Sequence, residues 1–356
     1  MPPPLPDHVQ KKFEKHRIAE MIREQTYGKV REPVHIGEHA GHRLVAVRNR
    51  VYYSKKWKFF SDFLFEYALG RFGKDWYGTQ LSLPKEQHHP LYVMRCEAAE
   101  YINAQPRLPN GAITPSGTVL ACNNFYYDLF TVDDNGHLDD ELLARLRIRD
   151  QFQGAMHEVF VQATCLRAGF SIVMENEQDP SRRHAEFVAV HKATGQHLLV
   201  EAKSRHRAGV LGQPGAEQPH AGIGFQRLIH DAIAKDTTNP LAVFVDTNLR
   251  PERANDFYNP QITSPRVIPS RAMASLLDKI RKDNGGLDPY NALVFSNHPQ
   301  HYERTGIAPG DSRVVGKIAT KPRVKIFHPK ALEDLLRATA LYGVVPTEFP
   351  PDRHAH

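Results

Sequence analysis

The sequence predicts an α/β protein in which a mixed central sheet flanked by helices follows a helix-rich N-terminal domain. The chain has 356 residues, a length that suggests more than one domain. Helical patterns dominate residues 1–150, and short strand-like apolar runs alternate with helical patterns after that point. We therefore predict a helix-rich domain at 1–150, a sheet domain at 151–345 and a flexible tail at 346–356.

The N-terminal region reads mainly as helices. Residues 7–25 have a polar helical pattern, and HRLVAVRNRVYYS, from His42, alternates as a strand does. KWKFFSDFLFEYALGRFG is a strongly apolar helix that Gly70 and Gly73 can end, and LYVMRCEAAEYINA is the next helix. Residues 112–150 continue as helices, so we expect at most a small hairpin here.

The second region begins with the helix GAMHEVFVQATCLRAG, which Gly169 ends. Three strand-like runs follow, FSIVMENE, AEFVAVHK and HLLVEAK, and then a loop rich in Gly and Pro. The helix FQRLIHDAIAKD, the strand LAVFVDTNL, the helix SRAMASLLDKIRK and the strand ALVFSNHP come next. The predicted order is helix, three strands, helix, strand, helix and strand, which is typical of a mixed sheet between helices.

Composition and charge limit the class of protein. Hydrophobic residues make up 41% of the chain and charged residues 24%, as in ordinary globular proteins. No apolar run reaches the roughly 18 residues of a membrane span, and the N-terminus lacks a signal-peptide core. Three widely separated cysteines form no CxxC pair, so we expect a cytoplasmic protein with free thiols and no membrane contact. The net charge of +6 permits a polyanionic partner.

Two carboxylates and a lysine flank a predicted hairpin turn at residues 193–196, Ala-Thr-Gly-Gln. If Ala193 pairs with Gln196, Glu186 lies opposite Lys203, and Glu201 is the diagonal neighbour on the same face. A register change of one residue would move Glu186 to the other face. Two glutamates at this spacing can converge on one divalent ion; a salt bridge on an edge strand is the alternative.

These residue types suit phosphodiester hydrolysis. Mg²⁺ prefers oxygen ligands and is typically held by one or two carboxylates with water and phosphate oxygens. The ion lowers the pKa of a bound water and neutralises charge on the phosphoryl group. A nearby ammonium group can orient that water or stabilise the transition state.

The arrangement resembles the PD-(D/E)XK nuclease superfamily, whose restriction-endonuclease-like core is a helix, a three-stranded meander, a helix and a further strand. The resemblance covers about residues 151–250. It implies that Glu186 binds metal from the second core strand and that Glu201, Ala202 and Lys203 form the (D/E)xK element. Ala185-Glu186 replaces the Pro-Asp of the family, which lengthens the ligand arm.

The resemblance also implies roles for two helical residues. Glu158 matches an acid of the preceding helix and becomes a third metal ligand, and Gln226 matches a polar residue near the catalytic site. Glu158 lies off the apolar stripe of its helix, so a solvated helix face is equally open. Arg205, His206 and Arg207 directly follow the motif, either as phosphate-binding residues or as a solvated loop.

The function that follows is a nuclease dependent on Mg²⁺ or Mn²⁺, acting on DNA in preference to RNA. By analogy with the family, it would serve in restriction, repair or anti-phage defence. The region 1–150 would recognise the substrate, bind a partner protein or form a homodimer. The alternative is an inactive module with the nuclease fold, which binds nucleic acid or a partner protein without cutting.

Overall fold

The computed structural model describes most of the chain. The described residues are 35–174, 185–206, 210–211, 225–234, 239–248, 271–301, 313–324, 328–343 and 345–346, with 11, 215 and 349. The polar helix expected at 7–25 lies, apart from Lys11, outside them.

A three-stranded antiparallel sheet opens the described chain: β1 (His35–His39), β2 (His42–Val47) and β3 (Arg50–Ser54). The turn between β1 and β2 places Ala40 and Gly41 at positive φ, 50° and 73°, as a two-residue hairpin turn requires. The expectation of at most a small hairpin was therefore wrong. The segment HIGEH of β1 is short and weakly apolar, so its sequence carries no clear alternation.

Five α-helices and a 3-10 turn (Lys85–Gln87) complete this first part of the molecule, which we call the helical part (35–147). The α-helices are α1 (Phe60–Phe72), α2 (Lys74–Ser82), α3 (Pro90–Ala104), α4 (Gly117–Asp134) and α5 (Asp140–Arg147). Helix α4 is buried along most of its length and packs against α1 and α3. An aromatic cluster of Phe60, Phe63, Tyr67 and Phe130 joins α1 to α4.

The second part, which we call the sheet part (152–340), follows the predicted element order. Its elements are α6 (Phe152–Arg167), β4 (Phe170–Met174), β5 (Phe187–His191), β6 (His197–Ser204), α7 (Phe225–Ile233), β7 (Leu241–Asp246), α8 (Arg271–Asp283), β8 (Ala292–Asn297), β9 (Arg313–Ile318) and α9 (Pro329–Ala340). The order of helix, three strands, helix, strand, helix and strand is confirmed.

Six strands form one mixed sheet in the order β4-β5-β6-β7-β8-β9, which confirms the α/β class. Strands β6, β7 and β8 run parallel to one another, and the other neighbours are antiparallel. Alternate residues of β7 point to opposite faces: Phe244 joins the core that includes α6, and Val243 joins the core beneath α7 and α8. Burial on both faces explains why these central strands are continuously apolar.

The hydrophobic core continues across residue 150. Helices α4 and α6 pack together, and the rings of Phe125 and Phe152 lie 5.7 Å apart between centroids. Phe349, within the expected tail, stacks on Trp57 at 6.3 Å. Whether the two parts fold independently stays a prediction. None of the helices in the described ranges combines the length and hydropathy needed to cross a membrane.

Two glycine substitutions should have opposite effects on stability. Gly195, in the β5–β6 loop, has a φ of +68°, which is unfavourable for residues with a side chain. We expect Gly195→Ala to lower the free energy of unfolding by about 1 kcal/mol. Gly78 is exposed within α2 with nothing near its added Cβ, so Gly78→Ala should raise it by about 0.5–1 kcal/mol. Denaturant titration measures both, and equal changes would contradict the conformational explanation.

Candidate active site

The β5–β6 hairpin differs in register from the prediction. Phe187 pairs with Val200 and Val190 with His197, so the predicted pairing of Glu186 with Lys203 is wrong by two residues. The shift is even, and the predicted residues therefore keep a common face. Continuing the ladder by one position brings Glu186 level with Glu201.

The loop chemistry explains this register. The carbonyl of His191 accepts hydrogen bonds from the amides of Thr194 and Gly195, at 3.2 and 2.8 Å. The His191 amide in turn donates to the carbonyl of Gln196 at 2.8 Å. The ring Nδ1 of His191 lies 2.9 Å from Thr194 Oγ1. Residues 192–195 thus form a four-residue loop where a two-residue turn was expected.

Lys203 brings the two predicted carboxylates together. Its Nζ lies 2.9 Å from Glu201 Oε2 and 3.6 Å from Glu186 Oε1. The side chain of Glu201 is fully buried, whereas 26% of the Glu186 side chain and 19% of the Lys203 side chain remain exposed. The site is therefore open on the Glu186 side and closed beneath Glu201.

The salt bridge expected between Glu186 and Lys203 is present, but its location on an edge strand is wrong. Strands β5 and β6 are inner strands of the sheet, and the shorter contact of Lys203 is to Glu201. Burial alone would lower the pKa of Lys203, but Glu201 and then Glu186 raise it, and the net effect is upward. Lys203 therefore carries its charge at neutral pH.

Glu158 is buried on α6, so the solvated helix face is wrong. Nearly every residue of α6 is buried, because the helix packs between the sheet and the helical part. Arg145 Nη2 lies 2.5 Å from Glu158 Oε2, and Gln162 Nε2 donates to Oε1 at 3.2 Å. Burial raises the pKa of Glu158 to about 7 although Arg145 lowers it, and the charge of Glu186 raises it further. Glu158 thus lies within electrostatic range of Glu186.

The donor set fits a hard divalent ion held by two carboxylates. Glu186 and Glu201 meet at one ammonium group, and Mg²⁺ commonly takes one or two protein carboxylates and fills its shell with water and phosphate oxygens. Within the described residues, no group of three or more His, Cys, Asp or Glu side chains is arranged to hold a metal. Glu158 as a third ligand stays a prediction.

The chain after Lys203 is fixed by backbone contacts. The Arg205 amide donates to the carbonyl of Asp246 at 3.1 Å, and the Arg205 carbonyl accepts from Gln153 Nε2 at 3.1 Å and Asn248 Nδ2 at 3.0 Å. Arg205 is half-buried, and His206 is exposed beside the N-terminal turn of α6. Arg207 and the side chain of Gln226, which lies in α7, fall outside the described residues.

Sequence reasoning missed Arg145, and it interpreted Asp246, at the end of β7, as a strand-end cap that could also lie near the site. Asp246 is buried there and accepts from Ser204 Oγ and the Asn248 amide, each at 3.3 Å. Burial raises its pKa to about 7. Two parallel strands, β6 and β7, end at this edge, and that topology is the signal that could have indicated Asp246.

Removing the charge of Lys203 should destabilise the fold. Lys203→Met leaves the buried carboxylate of Glu201 without its ammonium, so we expect the free energy of unfolding to fall by about 3 kcal/mol. The double variant Lys203→Met/Glu201→Gln removes both charges and should recover most of the loss. Denaturant unfolding compares them, and a double variant as unstable as the single one would disprove the charge explanation.

Asp246 should make stability depend on pH. A carboxyl group with a raised pKa in the folded state contributes stability that is complete below about pH 4 and is lost as the pH rises through about 7. Between pH 5 and pH 8, the wild type should lose about 2 kcal/mol relative to Asp246→Asn. Unfolding free energies of both proteins at the two pH values test this, and a constant difference would refute it.

Comparison with protein-family models, with curated proteins and with solved structures finds no match for this chain. Inferences about its activity therefore depend on the chemistry of Glu186, Glu201 and Lys203.

Proposed function

We propose that the protein is a phosphodiesterase dependent on Mg²⁺ or Mn²⁺, a nuclease of the PD-(D/E)XK type, with DNA as its substrate. One observation carries the proposal: the Lys203 ammonium contacts the carboxylates of Glu186 and Glu201 on adjacent strands, one of them buried and one open to solvent. A buried charge cluster of this kind needs a reason, because its desolvation is costly.

The order of elements gives further support. Helix α6, the meander β4-β5-β6, helix α7 and strand β7 follow one another as the resemblance requires. Glu186 lies directly before the second strand of that meander, and Glu201 lies on the third. Lys203 follows Glu201 on the same face of the third strand.

Each residue has a separate task in this proposal. Glu186 and Glu201 hold the divalent ion, which lowers the pKa of a bound water and neutralises phosphoryl charge when it is present. Lys203 orients the attacking water or stabilises the transition state, since its charge lies at the carboxylates that hold the ion. Arg205 and His206 contact neighbouring phosphates from a backbone that α6 and β7 fix in place. The resemblance gives Gln226, in α7, the role of a polar residue near the site.

The cellular setting follows from the same analogy. DNA is the preferred substrate because most nucleases with this core act on DNA, and the net charge of +6 suits a polyanion. The helical part then recognises DNA or a partner protein in restriction, repair or anti-phage defence in the cytoplasm.

A binding module without catalysis is the second candidate. Lys203 already contacts both carboxylates, and the described residues hold no group of three metal-binding side chains. Both observations suit a site that retains the charge cluster of an enzyme without its metal.

Plasmid cleavage separates the two candidates. Supercoiled plasmid should be nicked or linearised with Mg²⁺ or Mn²⁺ and not with EDTA, and Glu201→Gln should lower the rate by about 100-fold or more. Lys203→Arg, which keeps the charge, should lower it by at least tenfold. Lys330→Met is the matched control, because Lys330 forms an ion pair of the same 2.9 Å length with Asp334 on α9; its rate should not change.

If no cleavage is seen, calorimetry with Mn²⁺ shows whether the protein lacks a metal site or only lacks its substrate in the assay. Binding that Glu201→Gln abolishes would mean that a metal site exists and that the plasmid is not the substrate. An absence of Mn²⁺ binding in the wild type would reject the nuclease and leave the binding module.

A further inference from the structure

Arg145 is a cation at the candidate site that the resemblance does not include. Its Nη2 meets the buried carboxylate of Glu158, and its charge also interacts with Glu186. The Arg145 side chain is 37% exposed, whereas that of Glu158 is 7% exposed. The guanidinium group therefore spans the distance between a buried acid and the solvent at the mouth of the site.

The guanidinium has donors to spare. It carries five N–H groups, and the contact with Glu158 engages Nη2. Its Nε–H is buried and meets no acceptor among the described residues. A buried donor without an acceptor is costly, so Glu158 alone does not satisfy this side chain.

Helix α5 presents Arg145 from a rigid base. Asp139 caps the helix by accepting from the Leu142 amide at 2.7 Å, and Leu142, Leu143 and Leu146 are buried in the core. At the end of the helix, Arg147 donates to two carbonyls of the α1 terminus, each at 3.0 Å. The backbone of Arg145 is thus held on both sides while its side chain remains partly exposed.

The charges of the site favour an anion once a metal is bound. When ionised, Glu158, Glu186 and Glu201 carry three negative charges, against two positive charges on Arg145 and Lys203. A divalent ion changes the net charge from minus one to plus one. A phosphate would then be attracted, and a guanidinium group binds phosphate oxygens in bidentate fashion.

We propose that Arg145 is a phosphate-contacting residue, which pairs with Glu158 in the unliganded protein and with a non-bridging phosphate oxygen of bound DNA. The proposal rests on the nuclease function proposed above. It makes the helical part a direct contributor to substrate binding at the site. The alternative is a purely structural ion pair, in which Arg145 only compensates the buried charge of Glu158.

A Glu158→Gln background separates these roles. Without the carboxylate, Arg145 has no buried charge to compensate, so Glu158→Gln/Arg145→Met should fold as stably as Glu158→Gln. We would measure the affinity for a fluorescent DNA duplex with Ca²⁺ present, at several salt concentrations and without detectable cleavage. The logarithmic salt slope should fall by about 1 and the affinity about tenfold when Arg145 is removed.

Two further variants complete the test. Arg145→Lys in the same background keeps a cation without the bidentate geometry, so its affinity should be intermediate and its salt slope unchanged. Arg337→Met is the control, since Arg337 is a 70% exposed cation on α9, and we expect no change in slope or affinity.

The outcomes distinguish the two proposals. If Glu158→Gln/Arg145→Met binds DNA with the slope and affinity of Glu158→Gln while the wild type cleaves DNA, Arg145 is structural and this inference alone fails. If the wild type neither binds nor cleaves DNA, the proposed function fails and this inference fails with it.

Discussion

The candidate site depends on one lysine placed between two carboxylates. Lys203 can hold both Glu186 and Glu201 only because the hairpin register sets the two acids level with each other and because β6 is an inner strand. A fully buried carboxylate would be prohibitively costly alone, so the ammonium is a condition for placing Glu201 there at all. The fold around it, with β7 parallel on one side and β5 antiparallel on the other, provides the buried strand end.

A second ion pair, between Arg145 and Glu158, compensates another buried carboxylate near the candidate site. Arg145 compensates Glu158 as Lys203 compensates Glu201, and the two pairs lie close enough for Glu186 to affect the pKa values of both Glu158 and Arg145. Each pair couples a more buried acid to a more exposed cation. The result is a polar seam between the sheet part and the helical part, bordered by a continuous hydrophobic core.

Sequence patterns predicted the order of elements well and the details of contact less well. The apolar runs of β7 and β8 are unmistakable because these strands are buried on both faces, and β6 is buried in the same way from Leu198 to Glu201. The hairpin register was missed because Thr194-Gly195 resembles a two-residue turn, and only the hydrogen bonds of the His191 carbonyl show a four-residue loop. Because the register differs from the predicted one by two residues, Glu186, Glu201 and Lys203 still share one face of the sheet.

Other failures share a physical cause, which is that they concern contacts between distant elements. Glu158 is polar and off the main stripe of α6, and its burial depends on the helical part that covers it. Arg145 lies on a different helix from its partner, and no periodicity links the two positions. Strand β1 was missed because a five-residue segment with a central glycine gains its stability from pairing with β2.

The bridge between Arg145 and Glu158 has a consequence for where a working unit of this protein begins. The residues of the candidate site lie between 158 and 203, but the cation that pairs with Glu158 lies on a helix that ends at residue 147. A fragment that begins at residue 151 would keep every motif residue. It would expose the face of α6 that packs on the helical part, and it would leave the carboxylate of Glu158 without Arg145. Recombination or truncation that respects the motif alone would thus separate the acid from its cation, and the smallest transferable module must include α5.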